Sequence, residues 1–163
     1  MLIKNAKVIT WNNSNEILED QAVYIKGADI IDIGPSNELE IRYAGEREIV
    51  DVNGKYLMPG NICAHTHFYS AFSRGMPIAG DPPTNFTEIL KQLWWPLDKS
   101  LDLAGIKSSA EISILEAIKY GTTTLVDHHA SQNAIEGSLE TIADVVSHAG
   151  IRAALCYEVS DRD

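Results

Sequence analysis

The sequence predicts an α/β chain in two parts, a small β module over residues 1–57 and a parallel α/β segment over residues 58–163. Three observations predict it. The first part consists of short β-rich runs punctuated by Gly- and Asn-containing turns. The second part alternates strand-like and helical runs in the order strand, helix, strand, helix, strand, which implies βαβ units and a parallel sheet with both helices on one side. Between them lies Met58-Pro-Gly-Asn-Ile-Cys-Ala-His-Thr-His-Phe68, which places two of the five histidines one residue apart.

Taken in order, Leu2-Ile3 and Val8-Ile9-Thr10-Trp11 bracket an expected hairpin or bend at residues 4–7. The runs 22–26 and 30–33 flank Gly27-Ala28-Asp29, a tight hairpin connection. Residues 38–44 suit one or two helical turns. The runs 48–52 and 56–58 flank Asn53-Gly54, a strong hairpin signal because both residues tolerate positive φ.

After Pro59 the pattern changes. Residues 61–64 read as a buried strand ending at the histidine pair. Residues 68–100 carry Gly75, Gly80, Pro82, Pro83 and Pro96; so long a connection is functional or holds small helices, and 86–95 is one candidate. Leu103, Ile106, Ala110, Ile114 and Ala117 fall on one helical face, with Gly121 suited to the position just past the helix end. Thr122-Thr-Thr-Leu-Val126 is β-branched and reads as a buried strand ending at Asp127-His128-His129. A second helix over about 134–149, with Ile135, Leu139, Ile142 and Val146, stops at Gly150, and 151–157 is a third strand. Three strands and two helices cannot close a (β/α)₈ barrel, which takes about 250 residues. The expectation is therefore the front part of something longer.

Composition narrows the function. The chain has 163 residues, 45% apolar and 22% charged, as in a soluble globular protein. Thirteen basic against 23 acidic residues give a net charge of −10, which argues against nucleic-acid and anionic-membrane partners. Two cysteines, Cys63 and Cys156, and no signal-like or spanning apolar run lead to the expectation of a cytoplasmic protein.

Residues i and i+2 of a strand share a face, so His65 and His67 send both imidazoles the same way. They sit at the C-terminal end of the first parallel strand, where α/β folds gather ligands. Their nitrogens can share one cation at the ~2.0–2.1 Å of zinc–imidazole bonds. The alternative is two polar rings satisfied separately by water or backbone.

The run hydrophobic-Met58-Pro59-Gly60-x₄-His65-x-His67, entered from a β module whose last turn is Asn53-Gly54, resembles the amidohydrolase superfamily. Thr66, Phe68, Arg74-Gly75 and the strand start Gly121-Thr-Thr-Thr124 narrow the resemblance to the deaminase and chlorohydrolase branch, and within it to the SsnA-type aminohydrolases. The resemblance spans about Leu2 to Asp163. It implies that the chain is the N-terminal part of a (β/α)₈ metal-dependent hydrolase barrel preceded by part of a β-sandwich. It also implies a divalent metal, zinc or alternatively Fe²⁺, on His65 and His67. The remaining ligands and the acid/base carboxylate would come from later strands, so no catalytic residue is assigned in this chain.

The resemblance implies a hydrolase of non-peptide C–N bonds, an aminohydrolase of an amino-substituted heterocycle. The alternatives are a cyclic amidase or chlorohydrolase of the same superfamily, or a non-catalytic metal-binding fragment. Partners are a small-molecule substrate and a second copy or a complementary chain. Substrate-contact candidates are Arg74, which suits a carboxylate or carbonyl or else a loop salt bridge, and Asp98. The latter follows Trp94-Trp95, whose rings suit a flat heterocycle or simply pin the loop. His128 and His129 end the second strand with one ring inward and one outward; the inward ring is a pocket candidate, or a strand-end cap. Asp127 is expected to hydrogen-bond backbone or a histidine, Cys63 to pack, and His148 to sit structurally in a helix's last turn.

Overall fold

The structure, a computed structural model, describes residues 1–78 and 80–161, so the last two residues of the expected second part lie outside the described residues. Two compact units divide the chain, Met1–Pro59 and Gly60–Asp163.

The first unit holds strands β1 (Leu2–Ile9), β2 (Ile17–Lys26), β3 (Asp29–Pro35), β4 (Ile49–Asp51) and β5 (Tyr56–Leu57), with helix α1 (Ser36–Arg42) between β3 and β4. The sheet runs β3-β2-β1-β4, with β5 also on β1. The Gly27-Ala28 connection joins β2 and β3 as an antiparallel hairpin. Leu39 of α1 packs on Leu2 and Ala22, flanked by Tyr24 and Tyr43, whose rings stack at 3.7 Å.

Two expected hairpins in this unit do not form, for one reason. At residues 4–7 the chain bends without turning back: β1 runs through them with a kink in which Asn5 takes φ 56° and the pairing register shifts on either side of Ala6. Nor do β4 and β5 form a hairpin. They lie end to end along β1, both parallel to it, with Lys4 opposite Asp51 and Lys7 opposite Tyr56. Asn53-Gly54 is a turn, at φ 50° and 77°, but it steps around the β1 kink: the Gly54 N–H donates to the Asn5 carbonyl at 2.7 Å. A kinked strand thus finds a partner kinked at the same level.

In the second unit β6 (Asn61–Thr66), β7 (Thr122–His129) and β8 (Arg152–Tyr157) form a parallel sheet in the order β6-β7-β8. After β6 come a 3₁₀ turn (Phe68–Ser73), α2 (Phe86–Ile89), a π turn (Leu90–Trp94) and α3 (Trp95–Lys99). Next are α4 (Leu103–Lys119) between β6 and β7 and α5 (Ser138–Ala149) between β7 and β8. Ile106, Ala110 and Ile114 of α4 and Ile142 and Val146 of α5 bury against Leu125, with Cys63, Ala153 and Leu155 alongside. Both helices therefore cover the same face of the sheet, and among the described residues of this unit no helix covers the other, here called the open face.

The open face explains a third difference. β6 is not buried: Ile62 is 68% exposed, because alternate residues of an edge strand point to the side that no helix covers. The second helix also starts later than expected, at Ser138, because Gly137 turns the chain at φ 80° and leaves Ile135 exposed. Gly60 has a packing role. A Cβ there would lie 2.1 Å from Thr123 Cγ2, so only glycine lets the start of β6 run this close to β7.

Candidate metal centre

β6 and β7 pair Cys63 with Leu125 and then Thr66 with Asp127, three residues against two. The bulge keeps Cys63 and Thr66 on the helix side, opposite Leu125 and Asp127, and leaves His65 and His67 for the open face. Their rings lie 4.8 Å apart between centroids and nearly perpendicular. His128 joins them, its ring 5.5 Å from that of His67. Three imidazoles from two strand ends therefore gather on the uncovered side of the sheet.

His67 is oriented through its ring. Nδ1 lies 2.7 Å from the His128 carbonyl oxygen. A carbonyl only accepts, so Nδ1 carries the proton and Nε2 keeps its lone pair. That is the tautomer a metal ligand needs, and a backbone carbonyl behind the ring is the usual way of fixing it. Two imidazoles on one face, one of them oriented with Nε2 available, fit a divalent cation of the zinc or iron type. Among the described residues, no group of three or more His, Cys, Asp or Glu side chains converges to hold an ion.

The two histidines closing β7 split across the sheet. His128 is half-buried on the open side. His129 is 0% exposed on the helix side, between the rings of Tyr69 and Tyr157, each at 5.8 Å. Its Nε2 lies 3.0 Å from Ser131 Oγ, whose own hydrogen goes to the Ala134 carbonyl at 3.0 Å. The serine therefore accepts, and His129 donates from Nε2. Burial, with the charge of His128 second, pushes His129 down to about 4.

Asp127 bonds backbone, as its position suggested. Its Oδ1 accepts the Phe68 N–H at 2.7 Å. Burial pushes its carboxyl up to about 6, against the lowering effects of that bond and of His67. Nothing short-range in the sequence signals this 59-residue link. Arg74 stands exposed after the 3₁₀ turn, with no ion pair among the described residues. Asp98 is 1% exposed in α3, next to the core residue Leu97, and Trp94 packs against the same core. Cys63 packs on that core and donates its Sγ–H to the His65 carbonyl at 3.3 Å. His148 lies in the last turn of α5.

Comparison with known proteins places these features. The pattern of the amidohydrolase family matches residues 56–163. A 5-methylthioadenosine/S-adenosylhomocysteine deaminase of Bacillus cereus (strain B4264) is 31% identical over 159 residues, covering 93% of this chain and 33% of the deaminase. The chain thus spans about a third of the length of the curated relatives it matches. Among solved structures, an adenosine deaminase from Xanthomonas campestris with bound zinc superposes at a TM-score of 0.78, with 27% identity, over 93% of this chain and 32% of that one. An atrazine chlorohydrolase from Arthrobacter aurescens TC1, complexed with zinc and atraton, superposes at 0.76 with 23% identity over 95% and 35%. The last likeness is one of fold.

Proposed function

The chain belongs to the amidohydrolase family, and on that premise we propose that it contributes the first metal-binding strand of a hydrolase of non-peptide C–N bonds. The enzyme containing it deaminates an amino-substituted heterocycle, with adenine nucleosides of the kind named in its relatives as the first substrates to try. In this reading β6–β8 begin a (β/α)₈ barrel, and the sheet of residues 1–57 is one layer of a β-sandwich.

The observation that carries the proposal is the His67 Nδ1–H bond to the His128 carbonyl, which leaves Nε2 beside His65 on the open face. His65 and His67 would hold the cation. A divalent metal held there supplies Lewis acidity and brings the pKa of water towards neutrality. The chain's own contributions are orientation and enclosure. His128 presents its ring beside the pair, the aromatic packing of Tyr69 and Trp94 backs the site from the helix side, and Arg74 and Asp98 are the further candidates for substrate contact, while His129, buried on the helix side, supports the strand end from behind.

The test is ammonia release from adenosine, 5-methylthioadenosine and S-adenosylhomocysteine by the enzyme containing this chain, with and without His65→Ala. Turnover that His65→Ala abolishes supports the proposal. Chloride release from a chlorotriazine, with no ammonia from any aminopurine, would instead assign the chlorohydrolase alternative.

A further inference from the structure

Phe68, the residue directly after His67, is held at both backbone groups. Its N–H donates to Asp127 Oδ1 at 2.7 Å, and its carbonyl accepts from Ser113 Oγ of α4 at 3.0 Å. Its ring is buried at 1% exposure. Asp127 is 0% exposed, and its second oxygen, Oδ2, has no hydrogen-bond partner among the described residues. Burying an ionisable side chain with one oxygen unpaired costs stability, so its position calls for an explanation.

The broken ladder shows what it serves. The last β6–β7 pair, Thr66 opposite Asp127, comes just past the bulge, so His67 and Phe68 lie beyond the ladder. Two consecutive β7 residues replace the missing backbone bonds. The Asp127 carboxylate takes the Phe68 N–H, and the His128 carbonyl takes the His67 ring N–H. The peptide after His67 is fixed further by the Ser70 N–H, which donates to the His67 carbonyl at 2.9 Å. Ring and backbone of His67 are thereby set by the same strand end, which decides where Nε2 points.

We propose that Asp127 is a positioning residue for the histidine pair: it anchors the Phe68 amide and so holds His67 in its ligating orientation. The inference rests on the reading of His65 and His67 as metal ligands. It assigns Asp127 a part that depends on one oxygen acting as acceptor, and not on its negative charge.

The experiment measures zinc affinity of the protein containing this chain, by competition with a chromophoric chelator, and the ¹⁵N signal of the His67 Nδ1–H. Asp127→Ala removes the acceptor and should weaken zinc binding roughly 10–100-fold with loss of the native His67 signal, whereas Asp127→Asn keeps an oxygen for Phe68 and should stay within about threefold of native. A folded Asp127→Ala protein with native affinity and native His67 signal would overturn the proposal. So would an Asp127→Asn protein as impaired as the alanine variant. If the alanine variant does not fold, the asparagine variant decides: native affinity and signal support the anchor, and a tenfold loss refutes it. His67→Ala separates the two levels of the argument. If it leaves zinc affinity unchanged, the metal reading falls and this inference with it; if it removes binding while Asp127→Ala does not, only the anchor falls.

Discussion

His67 and His128 are joined by a ring-to-backbone hydrogen bond of 2.7 Å that runs between β6 and β7. The bond settles which nitrogen of His67 is free, and so which ring atom is left for the proposed cation. It also makes the orientation of a β6 imidazole depend on the backbone of β7.

The first prediction follows from that bond. Replacing His65 or His67 with alanine should remove bound zinc and turnover, because each supplies one of the two imidazoles on the open face. His148→Ala, in the last turn of α5, should leave both intact. Elemental analysis beside an ammonia-release assay checks this. Full zinc occupancy in His65→Ala would show that the pair is not the ligand set.

The convergence of His65 and His67 on one face was legible in the sequence because its signal is local: two histidines at spacing two, after a turn, before a βαβ pattern. The parallel order of β6, β7 and β8 was legible for the same reason, through periodicity. What sequence could not show was long-range. The β6 bulge that aims the pair arises from register with β7, and the Asp127–Phe68 bond spans 59 residues. The Asn53-Gly54 turn was visible, yet its partner was not: strand pairing went to the kinked β1 instead of forming a hairpin. Nor could strand alternation say which of His128 and His129 faces the helices, since that depends on which side α4 and α5 cover.

A second prediction concerns Gly60. Alanine there would drive its Cβ to 2.1 Å from Thr123 Cγ2 and 2.6 Å from Thr123 Oγ1. Gly60→Ala should therefore destabilise by about 1–3 kcal/mol through overpacking. Adding Thr123→Ala should recover part of the loss, since it removes the two nearest atoms. Denaturant midpoints of the single and double variants read the coupling directly. Equal midpoints for Gly60→Ala and the native protein would show that β6 has room to shift.

A third prediction concerns association of the 163-residue polypeptide. β6 and β8 are the two edges of its parallel sheet, and among the described residues of this unit no helix covers one face of that sheet. Edges with free backbone groups beside apolar surface recruit other chains. Light scattering should give a mass that rises with concentration, and adding salt should not reverse it, because the attraction is apolar. A monodisperse monomer that melts cooperatively would contradict this.

The last prediction is a pH dependence with its sign fixed by His129. Unfolded, this imidazole titrates near 6.5; folded, burial holds it down to about 4. Between those values the unfolded chain binds the extra proton, so the His129 contribution to stability is complete above 6.5 and is lost as pH falls towards 4. The groups facing it are the Tyr69 and Tyr157 rings, His128, and Asp127 two residues back on the same side of β7. Asp127 works in the opposite sense: its folded value, pushed up from 3.8 to about 6, makes its contribution complete at low pH and lost as pH rises through 6. The two overlap and partly cancel in the native protein. His129→Gln keeps a donor for Ser131 but cannot titrate, so it should leave the Asp127 effect alone. The variant's urea midpoint should then hold or rise on acidification from neutral pH towards 4.5, where the native midpoint changes less or falls. Parallel curves for the two proteins would mean that His129 takes up its proton without unfolding cost, and that its enclosure beside Tyr69 and Tyr157 opens at low pH.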